Sequence, residues 1–153
     1  MEYTFIDLID LISNSYLIAV SLLVQFVVYP TFIEIDKKRF KIYHTTYSKK
    51  VFYIIGPVMV FEICCSVIKN ILIIDLVNII TGIIVVYIWI LTFAFIVPIH
   101  NKIKVDLSKK NLFHLTKLNL FRSILWVIKF CFLLIYWLLF FYLKCSMFIN
   151  RFI

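Results

Sequence analysis

Four apolar windows, residues 8–30, 51–68, 76–98 and 120–143, run through the chain almost without interruption. A helix needs about 20 apolar residues to cross the hydrocarbon layer of a bilayer, so each window is a candidate span. The first three hold no Lys or Arg, and the fourth holds Arg122 near its start and Lys129 two turns further on. Apolar residues make up 64% of the chain and charged ones 16%, against roughly 45–50% and about 25% in a water-soluble domain. Two Gly and three Pro leave too little turn chemistry for a sandwich or barrel. The expected fold is all-α: a polytopic membrane protein whose 153 residues form one four-helix transmembrane bundle.

Sixteen basic residues are spread unevenly. Lys37, Lys38, Arg39, Lys41, Lys49 and Lys50 lie between the first two windows; Lys102, Lys104, Lys109, Lys110, Lys117 and Arg122 lie between the third and fourth or just inside the latter. The positive-inside rule then puts both long basic loops in the cytoplasm and both termini on the opposite side of a plasma (inner) membrane. The start, Met1 to Asp7, lacks the basic region of a signal peptide, so the first span is expected to be retained. A net charge of +8 that flanks spans suits anionic lipid headgroups and not nucleic acid. Phe40, His44, Tyr47 and Val51 repeat at helical spacing, as do Leu112, Leu115, Leu118 or Asn119, and Arg122; short interfacial helices are expected in the two loops. Lys69-Asn70 marks a tight turn between the second and third spans. Cys64, Cys65, Cys131 and Cys145 have no metal-ligand spacing and read as small buried hydrophobes.

Polar side chains inside these windows cost a few kcal/mol on insertion scales, so each must face the bundle interior, snorkel or pair. Glu62 lies eleven residues past Val51, ~16 Å into its helix at ~1.5 Å per residue and close to the midplane. An unpaired carboxylate there takes up a proton, so Glu62 is either a neutral acid or the partner of a cation or metal; a structural hydrogen bond is the plainer reading. Lys129 is a candidate partner. Gln25 and Tyr29, at i and i+4, share a helix face near the end of the first span. Asn119, Arg122 and Trp126 share another at the start of the fourth, where Arg122 as a snorkelling anchor and Trp126 as a belt residue are the plain alternatives. His44 and His100 belong at the same level, the mouth of the bundle, while His114 between Phe113 and Leu115 carries no special role. Asp7, Asp10 and Asp75 stand in the first turns of spans, where capping and the helix dipole account for them.

Gln25-Phe26-Val27-Val28-Tyr29-Pro30-Thr31-Phe32, Tyr43-His44, Pro57-Val58-Met59-Val60-Phe61-Glu62, Val97-Pro98-Ile99-His100 and Asn119-Leu120-Phe121-Arg122-Ser123-Ile124-Leu125-Trp126 together resemble a group of uncharacterised bacterial four-helix integral membrane proteins. Those proteins carry Gln followed by Tyr-Pro, a Tyr-His pair, Pro-x-Met-x-x-Glu, Pro-x-His and Asn-x-x-Arg. The resemblance covers about residues 20–130. Val28 stands where a His commonly precedes Tyr-Pro, and Leu120 where a Trp commonly follows the Asn. More distantly the layout is similar to anthrone oxygenase-like membrane proteins, an analogy of fold and a few positions.

Two functions are expected. The first is a membrane-embedded redox or oxygenase-type enzyme for a lipophilic, aromatic or quinone-like molecule: Glu62, His44 and His100 act as acids, bases or ligands of a non-haem metal, and Gln25, Tyr29, Asn119, Arg122 and Trp126 hold the substrate. Bis-histidine haem through His44 and His100 is an alternative on the same residues. The second is a non-catalytic accessory or scaffold subunit, as a homo-oligomer or with a partner, in which the polar set pins helix to helix. A transporter with Glu62 as relay ranks last, since four spans show no inverted repeat.

Overall fold

The computed structural model describes residues 2–149 and is all-α, with four rods joined by short turns. Rod α1 comprises Glu2–Leu23, a π-helical turn at Val24–Val28 and a last turn at Tyr29–Thr31. Rod α2 is Lys37–Leu72. Rod α3 comprises Leu76–Ile90, a π-helical turn at Leu91–Ile96, and Val97–Val105. Rod α4 is Lys109–Ile149. All four are long and apolar enough to cross a membrane.

The helical segments expected in the loops exist, but they run straight on into the spans. Rod α2 has 36 residues and α4 has 41, ~54 and ~61 Å at ~1.5 Å per residue. Both exceed the ~30 Å hydrocarbon layer, so they project beyond it. Residues 32–36 and 106–108 are thus short turns at one end of the bundle, its basic end. Asp36 starts α2 by accepting from the Lys38 N–H at 2.7 Å, and the Ser108 hydroxyl accepts from the Asn111 N–H as α4 begins. At the far end α2 continues through Lys69-Asn70, and the turn falls at residues 73–75. There Asp75 caps α3 through the Asn78 N–H at 2.7 Å, as its position implied.

Each rod packs on two neighbours in the order α1, α2, α3, α4 and back to α1. Two apolar clusters fill the inside. One, around Phe32, Phe40, Ile103 and Leu115, plugs the basic end; Phe32 meets Phe40, Tyr43, His44 and Tyr47 at ring-centroid distances of 5.4–6.3 Å. The other, of Leu17, Ile55, Met59, Ile88 and Trp126, sits deeper. Where the rods are surrounded by lipid the hydrophobic effect does not drive them together, because lipid tails are as apolar as any core; van der Waals packing and polar contacts hold helices there. The outer faces accordingly carry exposed Ile, Phe, Val and Leu along every rod, while Asp10, Asn14, Ser21, Gln25, Glu62, Asn119, Ser123 and Lys129 are buried inside. Of the cysteines only Cys65 is buried; Cys64, Cys131 and Cys145 lie on the outer surface, all as free thiols.

Candidate functional site

Each π-helical turn ends two positions before a proline. The N–H of Tyr29 reaches the Val24 carbonyl and that of Val97 the Thr92 carbonyl, the i to i−5 pattern, with Pro30 and Pro98 next in line. A proline has no N–H to give and its ring crowds the preceding turn, which a widened turn accommodates. Each π turn also re-aims the residues after it. Tyr29 on α1 and His100 on α3, helices diagonal to each other in the bundle, thereby meet across its interior, with Tyr29 Oη 3.3 Å from His100 Nε2.

From there a file of polar atoms continues. His100 Nδ1 lies 3.0 Å from His44 Nε2, and His44 Nδ1 lies 3.4 Å from Ser48 Oγ. A bond between two ring nitrogens requires one N–H and one lone pair, so at least one imidazole is neutral. The file can be polarised either way. If Tyr29 donates to His100 Nε2, then His100 Nδ1–H donates to His44 Nε2 and His44 Nδ1–H donates to Ser48; reversing every bond moves one proton from one end to the other.

Arg122 approaches the same place from α4. Its Nη2 donates to Asn119 Oδ1 at 2.6 Å, and Asn119 Nδ2 donates to Gln25 Oε1 at 2.8 Å and to the Ser21 carbonyl at 3.3 Å. The Ser21 and Ser123 hydroxyls, 2.6 Å apart, close this α1–α4 seam. The guanidinium rests on the Trp126 ring, 5.1 Å from its centroid, a cation–π contact. No carboxylate pairs with Arg122 in the ion pairs of the described residues, and its Nε is buried with no acceptor.

These groups line a cleft of about 870 Å³ between α2 and α3. Tyr29, His44, His100 and Arg122 face it, together with Tyr47 and Ser48; Lys49, Asn101 and Lys104 also line it. Phe52, Tyr53, Val60, Phe93 and Val97 line it as well and are exposed on the outside of the bundle. The cleft therefore joins the apolar outer surface to a polar interior. Trp89, another lining residue, has an indole N–H without an acceptor.

Glu62 lies elsewhere. Its Oε1 accepts from Lys129 Nζ at 2.8 Å, which realises the pairing that depth suggested, and its Oε2 accepts from Trp126 Nε1 at 3.3 Å. Lys129 also bonds Asp10 at 2.7 Å; Lys69 bonds Asp10 at 3.2 Å and Asp7 at 2.9 Å. Glu62 and Lys129 are 0% exposed, Asp10 1% and Asp7 19%. Asp10 is thus no helix-end cap but a bridge between two ammonium groups on α2 and α4. The signal was in the sequence: acids at i and i+3 in one span with lysines set one turn or more inside two others.

The residues expected at one site divide into three roles. His44, His100, Tyr29 and Arg122 line the cleft. Gln25, Asn119 and Trp126 are behind it and hold Arg122. Glu62 belongs to the ionic ladder on the other side of Trp126. Among the described residues no three His, Cys, Asp or Glu side chains gather as a metal set, so His44, His100 and Glu62 do not form the expected metal centre. Nor does bis-histidine haem fit: the two rings touch, with centroids 5.1 Å apart, which leaves no room for a porphyrin between them. With Arg122 and Lys104 in the cleft lining, the donor set suits an oxygen-bearing or anionic group better than a cation. Sequence reasoning placed Tyr47 on the helical face of His44 without giving it a site role, and overlooked Ser48 and the Ser21–Ser123 seam. His114 is exposed.

Comparison with protein-family models, with curated proteins and with solved structures finds no match for this chain.

Proposed function

We propose that the bundle is a membrane-embedded binding and proton-transfer site for a lipophilic molecule with an oxygen-bearing, quinone-like head, which enters from the bilayer between α2 and α3. The observation that carries this reading is Arg122: a buried guanidinium with a free Nε at the inner wall of a cleft whose mouth is apolar. A carbonyl, phenolate or carboxylate oxygen satisfies it, as it satisfies the free Trp89 N–H. About 870 Å³ is within the range of sites that enclose small ligands, ~300–1,000 Å³. Tyr29, His100 and His44 then give or take a proton at the head, the acid–base share of a redox or oxygenase-type reaction. With the basic end in the cytoplasm, the site lies beneath the inner leaflet.

Trp89 and Trp126 are close enough to report occupancy. A short-chain alkyl benzoquinone titrated into protein in lipid nanodiscs should quench tryptophan emission to saturation. Arg122→Gln should weaken binding roughly 10- to 100-fold, the worth of one charge-assisted hydrogen bond, while Gln keeps a donor for Asn119 and the fold. Unsaturable quenching, or unchanged affinity in the variant, favours the scaffold reading instead.

A further inference from the structure

The ladder contains three carboxylates, Asp7, Asp10 and Glu62, and two ammonium groups, Lys69 and Lys129. Lys129 is shared between Asp10 and Glu62, and Lys69 between Asp7 and Asp10. One negative charge is left over. The positive charge that balances it is Arg122, on the opposite side of Trp126: the guanidinium lies over the indole ring while the indole N–H points to Glu62. Across Trp126 the interior is neutral, three charges against three. Glu62, Lys129 and Asp10 are almost wholly buried, where charges are screened far less than at a surface, so the two halves feel each other.

Resting on the cleft reading above, the geometry points to Glu62 as a proton-binding site that loads when an acidic or phenolate head occupies the cleft. An anion at Arg122 takes over the charge that had balanced Glu62. The deepest carboxylate, which shares Lys129 with Asp10 and whose second oxygen is held only by a neutral N–H at 3.3 Å, is then only partly compensated in a medium that does not solvate it, and it takes one proton from water. Asp10 does not compete, since each of its oxygens faces an ammonium group. Glu62 contacts Lys129 and Trp126 on α4; Lys129 is shared with Asp10 on α1, which also pairs with Lys69 on α2, and Cys65 on α2 feels the charges of Asp10, Lys129 and Lys69; Asp75, just before α3, is engaged by Asn78 and Tyr136, and His100 on α3 by His44 and Tyr29. Asn14 Oδ1 is buried without a partner one turn from Asp10. The site therefore takes its ligand as a neutral pair, anion plus proton.

The test is calorimetric binding of an alkyl hydroxynaphthoquinone, ionised at neutral pH, in buffers of different ionisation enthalpy, which yields protons taken up per ligand. About one proton should accompany each anion in the wild type, with a new carboxylic-acid C=O band in the infrared difference spectrum. The neutral parent quinone should carry in far fewer. Glu62→Gln, which leaves Lys129 paired with Asp10, should bind the anion without proton uptake and without the band. Uptake that persists in Glu62→Gln and disappears in His100→Gln assigns the proton to the imidazoles and overturns the proposal, as does binding with no uptake in the wild type. Absence of binding by both quinones instead refutes the cleft reading on which it rests.

Discussion

At the scale of single residues, Lys129 is the charge most costly to remove. It is fully buried and holds carboxylates from two other helices, Asp10 and Glu62. Breaking a buried pair by deleting one partner costs about 3–5 kcal/mol, because the remaining charge loses its compensation. Lys129→Met should therefore lower stability by about that amount, measured by thermal unfolding in detergent. Adding Glu62→Gln should restore part of the loss, since only Asp10 is then left facing the gap and Lys69 still holds it. Arg122 is the opposite case. No carboxylate touches it and it faces the ladder only across Trp126, so Arg122→Gln should lower the melting temperature far less than Lys129→Met does while weakening binding roughly 10- to 100-fold; a fall as large as that of Lys129→Met would mark Arg122 as structural. These residues were legible because lipid tolerates no idle polar group: Gln25, Glu62, Asn119, Arg122 and Lys129 each had to face inward. Which of them meet was not legible. Partner choice depends on helix rotation, and a π turn shifts that rotation for every residue beyond it.

At the scale of the helix, the π turns decide whether the cleft exists. Each places one residue more than an α turn holds, so the helix beyond it is rotated by roughly 100° relative to an uninterrupted α-helix. Removing Ala94, exposed within the α3 π turn, should convert that turn to regular helix and swing His100 away from Tyr29 and His44. The ladder is built on α1, α2 and α4 and should survive. The expected outcome is a bundle that still inserts and still holds Glu62 against Lys129, but gives no saturable tryptophan quenching with the quinone. Retained affinity would show that the two imidazoles are bystanders. Apolar windows located all four spans, since burial in lipid demands continuous hydrophobicity. They could not locate the helix ends at the basic side, where α2 and α4 continue for turns made amphipathic by Phe40, His44, Leu112 and Leu115. Periodicity identified those turns as helical; nothing in it said that they were coaxial with the spans.

At the scale of the whole molecule, the cleft and the ladder occupy opposite halves of the bundle, so its orientation decides which compartment each one faces. Two of the three inter-helix turns, residues 32–36 and 106–108, lie at the end rich in Lys and Arg, and the third, residues 73–75, lies at the end where α1 begins at Glu2 and α4 ends at Ile149. Each basic residue near an anionic inner leaflet gains about 1 kcal/mol and resists translocation. Eleven such residues lie around the two turns at the basic end, against Lys69, Lys144 and Arg151 toward the other and none in residues 1–30, and this excess favours one orientation by more than thermal energy. In that proposed orientation the cleft would face the cytoplasm and Asp7 the opposite side, and a ligand would enter from the inner leaflet. The orientation is open to a direct check with an impermeant thiol reagent on intact cells. With Cys64, Cys65 and Cys131 replaced by Ser, the exposed Cys145 near the end of α4 should label at once. When Cys145 is also replaced and Glu34→Cys introduced in the first basic turn, labelling should require permeabilised membranes. The reverse pattern would invert the bundle and place the cleft beneath the outer leaflet, with Asp7 opening to the cytoplasm.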